Sequence, residues 1–346
     1  MNLDAVLQSV IVSLPEIFLL ATACLLLLID LLLKGRRVAL IANLAIMIVV
    51  TTAALSYLLT FSDLFGNPTE FQGIAYNGMF VSDKFSLFFK MIFYIATILT
   101  IMLSHNYLKI STEAHSEYFV MMLFALCGMM IMASGTDLIS IYVGLELLAL
   151  SMYVLTGFLK HDPRSNESAL KFLILSALST CLMLYGASLF YGLTGTTQLN
   201  DLRIALTGLA KADAVPLPIL TAIDPAIVLA TLFLLAGFAF KIAAVPFHMW
   251  VPDVYEGAPT PITAYMSVGS KAAGFAVILR VFVEALSPLT DIWLLLFAVI
   301  AVATMAVGSF VALVQTNIKR LLAYSSIAHA GFAMLGLVAG GESGVA

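Results

Sequence analysis

Residues 226–249 read AIVLATLFLLAGFAFKIAAVPFHM, and Lys241 is the only charged residue in this run. A transmembrane helix needs about 20 mainly apolar residues, so the run is long enough to cross a bilayer. Pro246 cannot donate a backbone hydrogen bond to the carbonyl of Ile242, and its ring crowds the same turn. The run therefore predicts a membrane-spanning helix that breaks near Pro246, with a lysine about 7.5 Å before the break.

Further apolar runs of similar length occur along the chain of 346 residues, which is 62% hydrophobic and 10% charged. Soluble domains are closer to one quarter charged, and a bilayer is the solvent that accommodates this much apolar surface. The composition predicts an all-α, polytopic transmembrane bundle of about ten helices, forming a single membrane domain over residues 1–346. The expected spans are approximately 12–33, 38–61, 84–104, 117–134, 137–158, 168–191, 226–249, 261–284, 291–313 and 321–339.

Lysine and arginine are concentrated in alternate connections, those after the first, third, fifth and ninth spans. These connections carry Lys34, Arg36, Arg37, Lys109, Lys160, Arg164, Lys319 and Arg320. Because basic connections stay in the cytoplasm, the bias places the N-terminus outside the cytoplasm. The start of the chain lacks the basic region of a signal peptide, so we expect the first apolar run to be retained as a span.

Other functional classes receive little support. The net charge of −4 and the lack of a long basic run argue against nucleic-acid binding. Cys24, Cys127 and Cys181 lie in apolar stretches without a metal-type spacing, which predicts small buried hydrophobic residues. The sequence contains no dinucleotide-binding, phosphate-binding or zinc motif. If the protein belongs to a redox complex, we expect the nucleotide, flavin and iron–sulfur sites to lie in partner chains.

Charged residues inside predicted spans need a reason, since an ionised side chain at mid-membrane costs about 2.5–3.5 kcal/mol on insertion scales. Glu146, near the middle of its span, is either a proton-carrying carboxylate or a neutral glutamate that fixes helix packing. Lys241 precedes a helix break, and breaks at membrane depth commonly mark ion sites, although snorkelling to the interface is the alternative. Small residues flank Lys271 and permit close helix contact.

Other candidates have stronger structural alternatives. Lys171 lies near the start of its span with Glu167 four residues earlier, a spacing that suits an ordinary helix-surface ion pair or a snorkelling lysine. His329 is either a proton relay or a neutral packing histidine. We expect Lys90 to snorkel and His248 to lie at the interface.

Several runs carry a family resemblance. Residues 245–261 read VPFHMWVPDVYEGAPTP, followed by KAAG at 271–274; residues 144–151 read GLELLALS and residues 323–331 read AYSSIAHAG. With these runs the chain resembles the antiporter-like membrane subunits of respiratory NADH:quinone oxidoreductase (complex I, NDH-1), most closely the subunit N family. This group is related to multisubunit sodium/proton antiporters.

The resemblance implies a function and a set of site residues. It implies a proton-translocating subunit of a bacterial inner-membrane complex that couples electron transfer from NADH to quinone to proton export. Other membrane and peripheral subunits would be its partners and would hold NADH, flavin, iron–sulfur clusters and quinone, with no cofactor in this chain. The residues implied in proton transfer are Glu146, Lys171, Lys241, Lys271 and His329, with the helix break at Pro246.

The resemblance also implies two inverted five-helix repeats after a leading segment. Residues 1–110 would be leading helices, residues 111–286 the first repeat and residues 287–346 the start of a truncated second repeat. We expect the chain to be a fragment or to depend on another polypeptide. The alternatives are a subunit of a multisubunit cation/proton antiporter and a membrane scaffold whose charges are structural.

Overall fold

The computed structural model describes residues 3–32, 38–61, 73–110, 117–212 and 224–340. Within these ranges the chain is mostly helical, with one short hairpin in which β1 (Gly73–Ala75) pairs antiparallel with β2 (Phe80–Ser82). The helices are α1 (Leu3–Val12), α2 (Leu14–Leu32), α3 (Val38–Phe61), α4 (Lys84–Ile110), α5 (Glu117–Ser134), α6 (Leu138–Thr156), α7 (Pro163–Thr194), α8 (Leu199–Ala212), α9 (Pro225–Ile242), α10 (Trp250–Gly257), α11 (Thr260–Tyr265), α12 (Lys271–Ile278), α13 (Thr290–Leu313) and α14 (Ile318–Ala339).

The predicted bundle of about ten spans is confirmed: in the described ranges, ten helical segments are long and apolar enough to cross a membrane. Most predicted limits agree within a few residues, and α5 matches its prediction at both ends. The seventh span differs, because α9 ends at Ile242 rather than at residue 249. The eighth, Thr260–Ala285, contains two π-helical segments, Met266–Ser270 and Leu279–Ala285. The chain is a multi-pass membrane protein.

Four short elements have no counterpart in the prediction: α1, the hairpin, α8 and α10. Each is shorter than a membrane span, so a prediction based on long apolar runs does not detect it. The hairpin is held by α1, since Ala75 and Phe80 form a small apolar cluster with Val12. The basic residues Lys34, Arg36 and Arg37 used for orientation lie outside the described residues.

The chain divides into two compact units. The first unit is Met1–Ala169 with Ala258–Ala276, and the second unit is Leu170–Gly257 with Val277–Ala346. Both are built from helices in close contact at small residues, the packing that membrane helices favour in the absence of a hydrophobic drive between them.

In the first unit, α5 and α6 approach most closely at two glycines. A Cβ added to Gly128 would lie 2.6 Å from the backbone nitrogen of Leu148 and 2.7 Å from the carbonyl oxygen of Gly144. A Cβ added to Gly144 would lie 2.9 Å from the backbone nitrogen of Met132. Since real Cβ atoms do not come this close, a side chain at either glycine would push the helices apart, and Glu146 on α6 is held at this tight contact.

In the second unit, Gly186 on α7 packs against the backbone of α9, and Gly308 on α13 packs against Ala328 on α14. The prediction for the cysteines holds only in part. Cys127 is buried, whereas Cys24 and Cys181 are exposed on the surface of their spans, because apolar residues on a membrane protein face lipid as well as the core.

The predicted orientation can be tested at described, exposed positions. After the native cysteines are replaced with serine, we expect Arg164→Cys to react with an impermeant thiol reagent from the cytoplasmic side only. Ile74 lies on β1, in the connection after the second span, which the charge bias places outside the cytoplasm. Ile74→Cys should therefore react from the outer side only. Labelling of both positions in intact and in inverted membranes measures this, and the reverse pattern would show that the N-terminus is cytoplasmic.

Candidate functional site

The break after α9 lies in the second unit and is held by hydrogen bonds. Helix α9 ends with Ala243 in the left-handed conformation (φ 63°), and the N–H of Ala244 donates to the carbonyl of Ala239 at 2.8 Å. An alanine in this conformation is unusual, since the region favours glycine. The N–H of Val245 donates to Oγ1 of Thr304 on α13 at 2.9 Å. The predicted break near Pro246 is thus confirmed, and its polar groups are taken up by neighbouring elements.

Lys241 lies in the last turn of α9, one residue before the helix ends. Its side chain is half-buried, and Nζ donates a hydrogen bond to Oγ of Ser176 on α7 at 2.9 Å. The same Nζ lies 6.0 Å from the ring centroid of Phe240. The amine is therefore directed at a hydroxyl inside the second unit.

Trp250, the first residue of α10, joins the two sides of the break. Its ring stacks on Phe172 of α7 at a centroid distance of 4.7 Å and on Phe240 of α9 at 5.3 Å. Its indole Nε1 donates to the carbonyl oxygen of Phe240 at 3.0 Å. One buried side chain thus holds α10 against α7 and also satisfies a carbonyl next to Lys241.

Helix α10 presents two carboxylates to a cluster of cations in the second unit. Asp253 accepts from Nζ of Lys171 at 2.9 Å and from Nη1 of Arg320 at 3.0 Å. Arg320 also donates to Glu256 at 2.9 Å, and the side-chain amide of Asn317 donates to the same carboxylate at 2.8 Å. Three elements, α7, α10 and the start of α14, therefore meet in one ionic network.

The network keeps Asp253 ionised. Partial burial would raise the pKa of its carboxyl, but the hydrogen bond and charge of Lys171 and the charge of Arg320 outweigh burial and hold the pKa below its ordinary value. The sequence suggested Glu167 as the partner of Lys171, whereas the structure adds Asp253 on another helix. Lys171 thus contacts the segment that follows the helix break, a connection that its position in the sequence did not reveal.

Two predicted site residues belong to the first unit. Glu146 is half-buried on α6, two residues from the tight contact at Gly144. Lys271 is 7% exposed and begins α12 directly after a π-helical segment. Single-turn π segments inside helices are frequent at functional sites, because they shift the side chains that follow. In the neighbouring turn, the hydroxyls of Tyr265 and Thr97 are 2.8 Å apart, which ties this segment to α4.

The two histidines differ from their expected surroundings. His329 is exposed on α14, with its ring 6.1 Å from that of Phe332. His248, expected at the interface, is buried in the break between α9 and α10. Burial lowers the pKa of His248, and a hydrogen bond with the backbone of Pro246 partly opposes this. Burial thus favours the neutral form of His248.

A buried ion pair in the first unit was not predicted. Nζ of Lys90 on α4 lies 2.5 Å from Oε1 of Glu16 on α2, and both side chains are almost fully buried. Lys90 also lies 5.5 Å from the ring centroid of Phe80. Lys90 therefore does not snorkel. The sequence signal was the carboxylate of Glu16 within the first apolar run, since an ionisable residue in a span usually has a functional or structural partner.

Breaking this pair should destabilise the protein. In Lys90→Met the carboxylate of Glu16 remains buried without its cation, at an expected cost of about 3–5 kcal/mol. The double change Glu16→Leu with Lys90→Met removes both charges and should recover most of the loss. Thermal denaturation of the purified protein in detergent measures both variants. Lys84→Met, at an exposed lysine on the same helix, is the control, and an equal shift there would contradict a specific role for the pair.

The chain matches a known family model and a relative of known name. Residues 133–346 match the family described as NADH:quinone oxidoreductase/Mrp antiporter, TM. Over its whole length the chain is 56% identical to NADH-quinone oxidoreductase subunit N 2 of Rhizobium meliloti (strain 1021), of which it covers 68%.

Two solved structures are similar to the chain. A chain in respiratory complex I from Thermus thermophilus with bound aureothin is 30% identical, with a TM-score of 0.70 over 93% of this chain and 64% of that one. A chain of the Mrp complex from Dietzia sp. DQ12-45-1b has a TM-score of 0.75 at 21% identity, over 100% of this chain and 60% of that one, which shows a shared fold. The chain thus spans about two thirds or less of the length of each of these structural relatives.

Proposed function

Because the chain belongs to the NADH:quinone oxidoreductase/Mrp antiporter transmembrane family, we propose that it translocates protons as a membrane subunit of an NADH:quinone oxidoreductase. In this assembly, electron transfer from NADH to quinone drives proton export. The high identity to a relative named as subunit N supports this choice. NADH, flavin, iron–sulfur clusters and quinone are bound by partner subunits. The assembly lies in a bacterial inner membrane, with the N-terminus of this chain outside the cytoplasm.

The observation that carries the proposal is the placement of Lys241 at the break of α9. Broken helices at membrane depth are where transporters place ion sites, because irregular backbone leaves polar groups beside the pathway. Oγ of Ser176 can accept a hydrogen bond from the amine whether the amine carries three protons or two. This geometry supports a lysine that takes up and releases a proton without losing its contact with α7.

The other site residues complete the proposal. Glu146 and Lys271 in the first unit, and Lys171 and His329 in the second, are further proton carriers. Lys171 has an additional connection to the helix break through Asp253 and α10. A change of charge at Lys171 would alter the ion pair with Asp253 and so act on the segment that follows Lys241. The division into leading helices, a first repeat and the start of a second repeat is proposed with the same boundaries as above.

A subunit of a multisubunit cation/proton antiporter is the alternative, since the family name covers both groups. The balance of identity favours the oxidoreductase. The relative named as subunit N is 56% identical over the whole chain, whereas the Mrp chain is 21% identical and shares the fold.

Identification of the partner chains tests the proposal. The complete protein, carrying an affinity tag, is purified from membranes in a mild detergent, and the co-purifying chains are identified by mass spectrometry beside an untagged control. We expect NADH dehydrogenase subunits, together with NADH:quinone activity in the purified fraction. Co-purification of antiporter subunits alone would establish the alternative, and the absence of both would indicate a scaffold.

A further inference from the structure

The first unit contains a cavity of about 530 Å³ to which the proposed function assigns no role. It lies where the end of α2, the start of α5, the end of α6 and the start of α7 come together. Because successive spans alternate in direction, these four ends lie on one side of the membrane. The charge bias predicts that this is the cytoplasmic side. The cavity is therefore at the level where lipid headgroups meet the hydrocarbon region.

A buried carboxylate lines this cavity. The side chain of Asp30 is 8% exposed, and its Oδ1 is buried without a hydrogen-bond partner among the residues that the structure describes. A buried polar group without a partner is costly, and a buried charge much more so. Because Asp30 lines the cavity, a donor inside the cavity can reach this carboxylate, and a cationic N–H donor forms the strongest bond with it.

The other charged groups at the cavity indicate the charge of the ligand. Glu117 and Lys160 are exposed residues that also line the cavity. The segment carrying Lys160 is fixed, because the side-chain amide of Asn166 donates to the Lys160 carbonyl at 2.9 Å. Among the described residues that line the cavity, two carboxylates and one ammonium leave an excess of negative charge. A complementary ligand has a cationic group for Asp30 and Glu117 and an anionic group for Lys160.

The walls of the cavity are largely apolar. Leu27 and Leu31 of α2 face the cavity together with Val154 of α6 and Phe158, which follows the helix. At Gly157 an added Cβ would lie 2.8 Å from Cβ of Ala169, so this glycine lets α6 and α7 approach at the cavity wall. A simple inorganic cation or a free amine would leave these apolar walls uncovered. An acyl chain would cover them.

We propose that this cavity binds a zwitterionic phospholipid with a primary ammonium headgroup, of the phosphatidylethanolamine type. The ammonium donates to Asp30 and Glu117, the phosphate faces Lys160, and the start of an acyl chain lies along Leu27 and Val154. An anionic phospholipid such as phosphatidylglycerol has no cation for Asp30 and would bring a third negative charge to the two carboxylates. The site is thus selective for the aminophospholipid.

Photo-crosslinking in defined lipid tests this site. A benzophenone amino acid replaces Leu27 at the cavity wall, and in a separate variant it replaces Leu99, which is 55% exposed on α4 away from the cavity. The complete protein in its native assembly is placed in bilayer discs of equal phosphatidylethanolamine and phosphatidylglycerol. After illumination, the lipid attached to this chain is identified by mass spectrometry.

We expect the position-27 adduct to be enriched in phosphatidylethanolamine about tenfold over the position-99 adduct, the ratio that one charge-assisted hydrogen bond supplies. Asp30→Asn should remove this enrichment, while Asp291→Asn, at an exposed carboxylate outside the cavity, should keep it. Equal lipid composition at positions 27 and 99 would overturn the proposal. So would the absence of a lipid adduct at position 27, which indicates a water-filled cavity, or an adduct with a protein chain.

Discussion

Lys241→Met and Lys241→Arg should both reduce proton translocation at least about a hundredfold, the lower end of the range for loss of a positioned acid or base. Methionine keeps the length and apolar volume of the side chain but removes the amine that donates to Ser176. Arginine keeps a positive charge and several N–H donors, but its guanidinium does not release a proton at physiological pH. The pair of variants thus separates a need for charge from a need for proton exchange.

If the protein were a membrane scaffold, the two Lys241 variants would give different results from each other. If Lys241 served only as a cation within the helix bundle, arginine would retain its function and methionine alone would be harmful. The hydrogen bond to Ser176 and the neighbouring ring of Phe240 are both compatible with a guanidinium. Wild-type translocation in Lys241→Arg would therefore remove proton exchange at this lysine from the mechanism.

Inverted membrane vesicles provide the measurement. NADH oxidation and proton uptake into the vesicles are recorded together, after native gels show that each variant assembles at the normal level. Lys84→Met and Lys84→Arg, at an exposed lysine on α4, are the matched controls and should translocate protons as the wild type does. We expect NADH oxidation to fall less than translocation if the two are loosely coupled.

The sequence was sufficient for features that depend on local properties. The spans follow from runs of apolar residues, and the break follows from Pro246, whose missing N–H and ring act on its own turn. The left-handed conformation of Ala243 could not be predicted, because alanine has no local preference for it. It is held by contacts from other helices, such as the bond between Val245 and Thr304.

Pairings between helices were the main omission. Glu16 and Lys90 are far apart in the sequence, and their ion pair follows only once α2 and α4 are side by side. Asp253 and Glu256 lie in the run that carries the family resemblance, but their function as acceptors requires α7 and α14 in place. Arg320 contributed to the predicted orientation and proves to bind both carboxylates. Charges in spans could be recognised one by one, but their partners could not.

Trp250→Ala should be the most damaging change at the helix break. The indole is 3% exposed and stacks on Phe172 and Phe240, so its removal leaves a large cavity at an expected cost of about 3–5 kcal/mol. It also removes the donor to the carbonyl of Phe240, next to Lys241. We expect poor assembly and loss of translocation together, which by itself does not separate stability from function.

Comparison of Trp250→Phe with Trp293→Phe separates the effect on stability from the effect on translocation. Both tryptophans are 3% exposed, and each donates one indole hydrogen bond to a backbone carbonyl, Trp250 to Phe240 and Trp293 to Leu286. Phenylalanine keeps an aromatic ring and removes this donor, while each carbonyl keeps a backbone donor, the N–H of Ala243 or of Leu289. Both variants should therefore lose a similar amount, about 0.5–1.5 kcal/mol, the net value of one hydrogen bond. Their thermal denaturation in detergent should shift by similar amounts.

Translocation should distinguish the two variants, since only the carbonyl of Phe240 belongs to the turn that carries Lys241. When that carbonyl loses the indole and keeps only the N–H of Ala243, the last turn of α9 is held less firmly, and the amine loses its fixed direction toward Ser176. We therefore expect impaired translocation in Trp250→Phe and near wild-type translocation in Trp293→Phe, each measured in vesicles with normal assembly. Equal translocation in both variants would show that the indole of Trp250 stabilises the bundle without positioning the lysine.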